Sequence, residues 1–102
     1  MKLVSGASFI FIFILSSSSL WAAGNAASGK KNYVTCVACH GANGMGIAPT
    51  FPNLAGQKAI YTVKQLKAFK SGTRVDPIMK AQVAKFSDQD FEDLAAYIET
   101  LK

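Results

Sequence analysis

Reactive side chains are scarce in this sequence: two cysteines, one histidine, one tryptophan and one arginine in 102 residues. Each shortage removes a class of function. A structural zinc site asks for four protein ligands; Cys36, Cys39 and His40 supply three, and no other cysteine or histidine exists to complete the set. Two cysteines three positions apart allow one disulfide at most, and closing so short a loop constrains the unfolded chain little. The single Arg74 stands among lysines scattered at 30, 31, 58, 64, 67, 70, 80, 85 and 102. That is not the dense basic block with interleaved aromatics of a nucleic-acid surface; ordinary solvated helix faces account for most of it. Alternating β-branched runs are also missing, so nothing reads as a sheet.

A long hydrophobic run is absent too. The strongest apolar block, residues 9–15 (FIFIFIL), is well short of the roughly 20 residues a membrane-spanning helix needs. Lys2 precedes it, and four serines followed by LWAAG come after it. This is the order of a secretory signal, with small residues for cleavage near Ala23 or Gly24. A retained anchor is the alternative, since residues 3–20 reach partway across a bilayer. The expected organisation is a cleaved signal over residues 1–23 and one domain over residues 24–102, with no stable membrane insertion after cleavage. About 79 residues then remain, carrying ten basic and six acidic side chains. A chain of that size builds little core and usually needs a staple.

Three helical segments stand out. The first runs from Ala26 or Ala27 into the CVACH stretch, with Asn25 or Ser28 as its cap. The second follows Gly56 and ends near Gly72; Ala59, Ile60, Val63, Leu66 and Phe69 form its expected apolar face. In the third, Ser87 caps the helix, Asp90 sits at N3, and Phe86 and Phe91 occupy the two positions of a hydrophobic staple. Its inward face is Phe91, Leu94, Ala95, Ile98 and Leu101, and its early acids suit the positive end of the helix dipole. The segments GANGMGIAPTFPNLAG and TRVDPIMKAQ read as loops. Loops this long in so small a domain make sense if they wrap something.

The stretch CVACH (residues 36–40) names what they wrap. C-x-x-C-H is the attachment pattern of c-type haem. Cys36 and Cys39 each add to one vinyl group on the same porphyrin edge, and His40 is carried beneath the iron as an axial ligand. The rival, a thioredoxin-like thiol pair, belongs beside a βαβ unit for which this chain is too short and too helical. With no second histidine, the other axial ligand falls to a methionine. Met45 lies only five residues past His40, on the same side of the ring. Met79 lies 39 residues on, after Pro77, where a loop can cross to the far side. A His/Met pair fills both axial positions and raises the potential, which suits electron carriage and not bond-making.

These residues carry a resemblance. CVACHGANGMGIAPTFPNLAGQ, YTVKQLKAFKSGTR and DPIMKAQVAKFSDQDFEDLAAYI, together spanning most of residues 29–101, are similar to the class I monohaem cytochromes c, and especially to one half of the bacterial dihaem cytochromes c. The resemblance implies an all-α fold of three or more helices wrapped around one covalent haem c. It implies Cys36 and Cys39 as thioether anchors, His40 and Met79 as iron ligands, and Pro52 as the residue whose carbonyl accepts the second imidazole N–H; Pro49 is the nearby alternative for that role. It implies a close crossing of the first and last helices at Gly29 and Tyr97. The function it implies is a periplasmic, monomeric carrier of single electrons, not an enzyme, docking redox partners with acidic faces. A docking rate insensitive to ionic strength would remove that last expectation. The alternative is a haem-bearing subunit of a dehydrogenase complex, for instance a flavoprotein oxidising a sulfur compound. One motif means one haem, so a tandem arrangement would need a second chain.

Overall fold

The computed structural model describes Leu3, residues 5–14 and residues 23–102. Residues 15–22, with the serine run and most of the expected cleavage region, lie outside the described residues. Residues 9–14 have no regular structure and each is at least 79% exposed, so this apolar run is no part of the core.

Helix α1 spans Ala26–Asn32. Its cap is Asn25, in extended backbone, whose side chain accepts the Ser28 N–H at 3.0 Å. Ser28, the other candidate, is already helical. The chain does not continue into CVACH as one α-helix: it tightens into a 3₁₀ turn over Tyr33–Cys36 and reopens as α2, Val37–His40. Gly41 ends α2 with φ 81°, a left-handed value that glycine adopts freely.

Helix α3 spans Ala59–Ser71 and stops at Gly72 in the left-handed conformation. Its inward face differs from the expected one at one position. Ile60 is 89% exposed, and Thr62 is buried beside Val63 and Phe69 instead. The reason is phase: Val63 and Phe69 fix the core-facing line, and Ile60 lies outside the arc that packs along it. The hydroxyl of Thr62 has no hydrogen-bond partner, and nothing in the structure explains it.

The segment expected as a second loop contains a helix, α4, over Pro77–Val83. Asp76 is its N-cap and Pro77 occupies the first helical position, where a missing N–H costs nothing. Seven residues are too few to show a helical period, which is why the pattern did not announce it. Met79 therefore sits on the first turn of a helix and not in a loop.

Helix α5, Asp88–Thr100, forms with both bonds of its capping box. Ser87 Oγ accepts the Asp90 N–H at 3.1 Å, and Asp90 Oδ2 accepts the Ser87 N–H at 2.9 Å. That pairing holds the Asp90 carboxyl below the usual carboxylate range. The Phe86 and Phe91 rings meet edge to face at 6.5 Å, closing the staple. Asp93 departs from the dipole explanation: it is buried, and its Oδ1 accepts the Asn25 N–H at 2.8 Å and the Gln89 side-chain amide at 3.0 Å. It ties the start of α1 to α5.

Helices α1 and α5 cross at the point the resemblance implied. A Cβ built on Gly29 would stand 1.9 Å from the Asp93 carbonyl oxygen and 2.9 Å from Tyr97 Cβ, so only glycine fits. The core is small: Tyr33, Phe69, Val83, Phe86, Phe91, Leu94 and Ile98. No strand occurs among the described residues, and none of their helices is long and apolar enough to cross a membrane.

Candidate functional site

Cys36 closes the 3₁₀ turn, and Cys39 and His40 lie on α2, one tight turn further on. Both cysteines are free thiols, each half-buried. Burial pushes the Cys36 thiol up, against a smaller opposite pull from the Thr35 hydroxyl. A redox-active thiol needs the reverse, a stabilised thiolate. No strand stands among the described residues, so the βαβ unit to which a thioredoxin-like pair belongs is missing there.

His40 is buried, and its Nδ1 lies 2.8 Å from the Pro52 carbonyl oxygen. A carbonyl only accepts, so Nδ1 carries the hydrogen and donates it. The lone pair is left on Nε2, the nitrogen available to a metal. Of the two candidate prolines, Pro52 makes this contact. It is delivered there by the loop after α2, which folds back on itself. Ile47 N–H reaches the Cys39 carbonyl at 3.1 Å, and Leu54 and Ala55 N–H reach the Gly44 carbonyl at 2.7 and 3.0 Å. Asn53 Oδ1 accepts the Gly46 N–H at 2.7 Å. Gly56 N–H then bonds the Ile98 carbonyl at 3.1 Å and ties the loop to α5.

One residue that sequence reasoning missed acts on the carbonyl of Gly41, the residue after His40. Tyr33 is 2% exposed, and its hydroxyl donates to the Gly41 carbonyl at 2.7 Å. The same carbonyl accepts the Gly44 N–H at 3.1 Å. Burial first, then the neighbouring Cys36 and Tyr97, push the Tyr33 phenol up to about 12, so it stays a donor at neutral pH. Its ring packs edge-on against Tyr97 at 5.3 Å. Nothing local in the sequence distinguishes such a tyrosine from an ordinary core residue.

Met79 is half-buried on α4 and packs against the same apolar cluster that Cys36, Val37, Leu54 and Leu66 flank. Its backbone N–H donates to Asp76 Oδ1 at 3.0 Å. The pair Asp76-Pro77, a capping residue followed by an N1 proline, was the available signal for this turn. Met45, by contrast, is 45% exposed in the loop after α2.

The donor set fits a covalently attached haem. Cys36 and Cys39 have the C-x-x-C-H sequence spacing, the adjacent imidazole has its Nδ1 hydrogen engaged by a carbonyl, and a thioether borders the same apolar cluster. No group of three or more His, Cys, Asp or Glu among the described residues is placed to hold a metal ion by itself, so an all-protein metal cage is not built here.

Comparison with known proteins agrees with this chemistry. The family model for cytochrome c matches residues 26–102. Cytochrome c-554(548) of Halomonas halodenitrificans is 45% identical over 78 residues, which cover 74% of this chain and 94% of that protein. The thiosulfate dehydrogenase electron acceptor of Stutzerimonas stutzeri A1501 is 42% identical over 86 residues, covering 74% of this chain and 40% of that protein. The solved cytochrome c4 of Acidithiobacillus ferrooxidans superposes with a TM-score of 0.71 at 37% identity, over 76% of this chain and 49% of that one. The chain thus spans nearly all of the first relative and about half or less of the other two. It is similar to one half of the dihaem cytochromes c4. The chain belongs to the cytochrome c family, a helical electron carrier that holds haem c covalently.

Proposed function

We propose that this protein is a periplasmic single-electron carrier, exported by a cleaved signal over residues 1–23 and working as a monomer over residues 24–102. Cys36 and Cys39 would anchor haem c through thioether bonds, and His40 and Met79 would ligate its iron. Bound haem supplies a one-electron iron couple at this site. The polypeptide's part is to hold that couple still. Pro52 orients the His40 ring and raises its basicity through the Nδ1 bond, as an outer hydrogen bond does for a ligating histidine. Tyr33 and Gly44 grip the carbonyl of Gly41, the residue that follows. Met79 would supply the second protein ligand to the iron and so would keep O₂ and small ligands from it.

The observation that carries this reading is the His40 Nδ1–Pro52 contact at 2.8 Å, which leaves Nε2 for the metal within a C-x-x-C-H stretch. Redox partners with acidic faces fit the charge of the domain, since α1 and α3 carry five of the ten lysines and no acid, and α5 carries five of the six acids. The Stutzerimonas relative, named as an electron acceptor of a dehydrogenase, supports a dehydrogenase as the electron source. It equally keeps open a second reading, a haem-bearing subunit docked on such an enzyme. A protein that purifies alone as a monomer supports the free carrier, and one that co-purifies with a catalytic chain supports the subunit.

The ligand assignment is tested by Met79→Ala. The variant should keep its haem, bind CO when reduced and lose potential, because a neutral soft thioether favours Fe(II). An unchanged potential together with no CO binding would remove Met79 from the iron.

A further inference from the structure

The turn that carries Met79 is held from both ends. At its far end, Val83 is 3% exposed and sits in the core. At its near end, Asp76 leaves extended backbone (φ −154°, ψ 102°) and its carboxylate accepts the Met79 N–H at 3.0 Å. The Asp76 carbonyl accepts the Lys80 N–H at 2.9 Å, the first bond of the helix. Between these ends Met79 itself packs against the core cluster, and its two predecessors on the turn do not. Pro77 and Ile78 are exposed, Ile78 at 66%. Seven residues are far fewer than an isolated helix needs to hold its own shape. The first turn is therefore kept closed by its cap at Asp76 together with the packing of Met79.

We propose that Asp76 is a positioning residue for Met79. Its carboxylate keeps the first turn of α4 wound and so holds the thioether in place against competing ligands. This inference rests on Met79 being the second axial ligand. Without the cap, the Met79 N–H is orphaned, the turn frays, and the methionine spends more time displaced. An added ligand that needs the open form binds in proportion to the fraction open. The loss of an aspartate cap to alanine typically multiplies that fraction about fivefold.

The experiment titrates the ferric holoprotein with imidazole, followed by its visible absorption, in parallel with denaturant unfolding. Asp76→Ala should raise the apparent imidazole affinity about fivefold, and should weaken the absorption band that thioether ligation gives ferric haem. Asp76→Asn keeps a capping oxygen without the charge and should stay within about twofold of the unaltered protein. Ser87→Ala removes the cap of α5, a different helix from the one that carries Met79, and should lower the unfolding midpoint while leaving imidazole affinity unchanged. In the unaltered holoprotein the Met79 amide should exchange slowly with solvent.

An unchanged imidazole affinity in Asp76→Ala overturns the proposal. So does a rise of equal size in Ser87→Ala, which would mark a general loss of stability, or an Asp76→Asn variant that behaves like alanine. A freely exchanging Met79 amide overturns it without any variant. Met79→Ala is the separate control: if it takes up imidazole no more readily than the unaltered protein, the ligand reading itself fails.

Discussion

The carbonyl of Gly41 accepts two hydrogen bonds, from the Tyr33 hydroxyl and the Gly44 N–H. Tyr33→Phe removes the shorter of them without changing the shape of the ring. It should cost about 1 kcal/mol, the usual worth of one intramolecular bond. The pH dependence gives a second signature. The phenol is raised from 10.0 to about 12 by folding, so the unfolded chain loses that proton first. Tyr33 therefore contributes stability that is complete below about pH 10 and is lost as pH rises toward 12. Denaturant unfolding across that window should show a steeper decline in the unaltered protein than in Tyr33→Phe; equal slopes would contradict this. At this scale the cysteines and His40 were legible because their chemistry is written in five consecutive residues. Tyr33 and Thr62 were not, because what they do depends on neighbours the chain brings up only when folded.

Among the elements, α5 was the most readable, since its cap, staple and inward face all agree. Its inward residues Phe91 and Ala95 are fully buried. Helix α4 was the least readable. Just under two turns give too little periodicity to read, and the local rule that marks its start, Asp before Pro, is shared with ordinary turns. Asp93 shows the other kind of miss: an acid near a helix start suits the dipole, but this one is spent on a bond to the Asn25 N–H. The crossing of α1 and α5 is the most demanding contact between elements. Gly29→Ala would drive a methyl group to 1.9 Å from the Asp93 carbonyl oxygen unless the helices part. Overpacking of that kind should cost about 3 kcal/mol, read as a lower denaturant midpoint of the holoprotein. A midpoint equal to that of the unaltered chain would mean the helices do not cross so closely.

Taken whole, the molecule has an uneven distribution of charge among its helices and a thin interior. Five lysines lie on α1 and α3 and five of the six acids on α5, but not every lysine is free for a partner. Lys70 donates to the Phe86 carbonyl and lies over the Phe91 ring at 5.8 Å, and Lys85 lies over Phe86 at 5.2 Å. Seven buried apolar side chains form the core cluster. The polypeptide alone supplies little hydrophobic burial for a domain of this size, and the attached macrocycle adds apolar surface to it. The measurement that tests this most directly is the intact mass of the protein purified from its native host, taken before and after extraction with acidified organic solvent. The mass should exceed that of the polypeptide by one haem both times, with the red colour staying on the protein. A colourless, well-folded protein of bare polypeptide mass, or a haem that leaves with the solvent, would contradict the account.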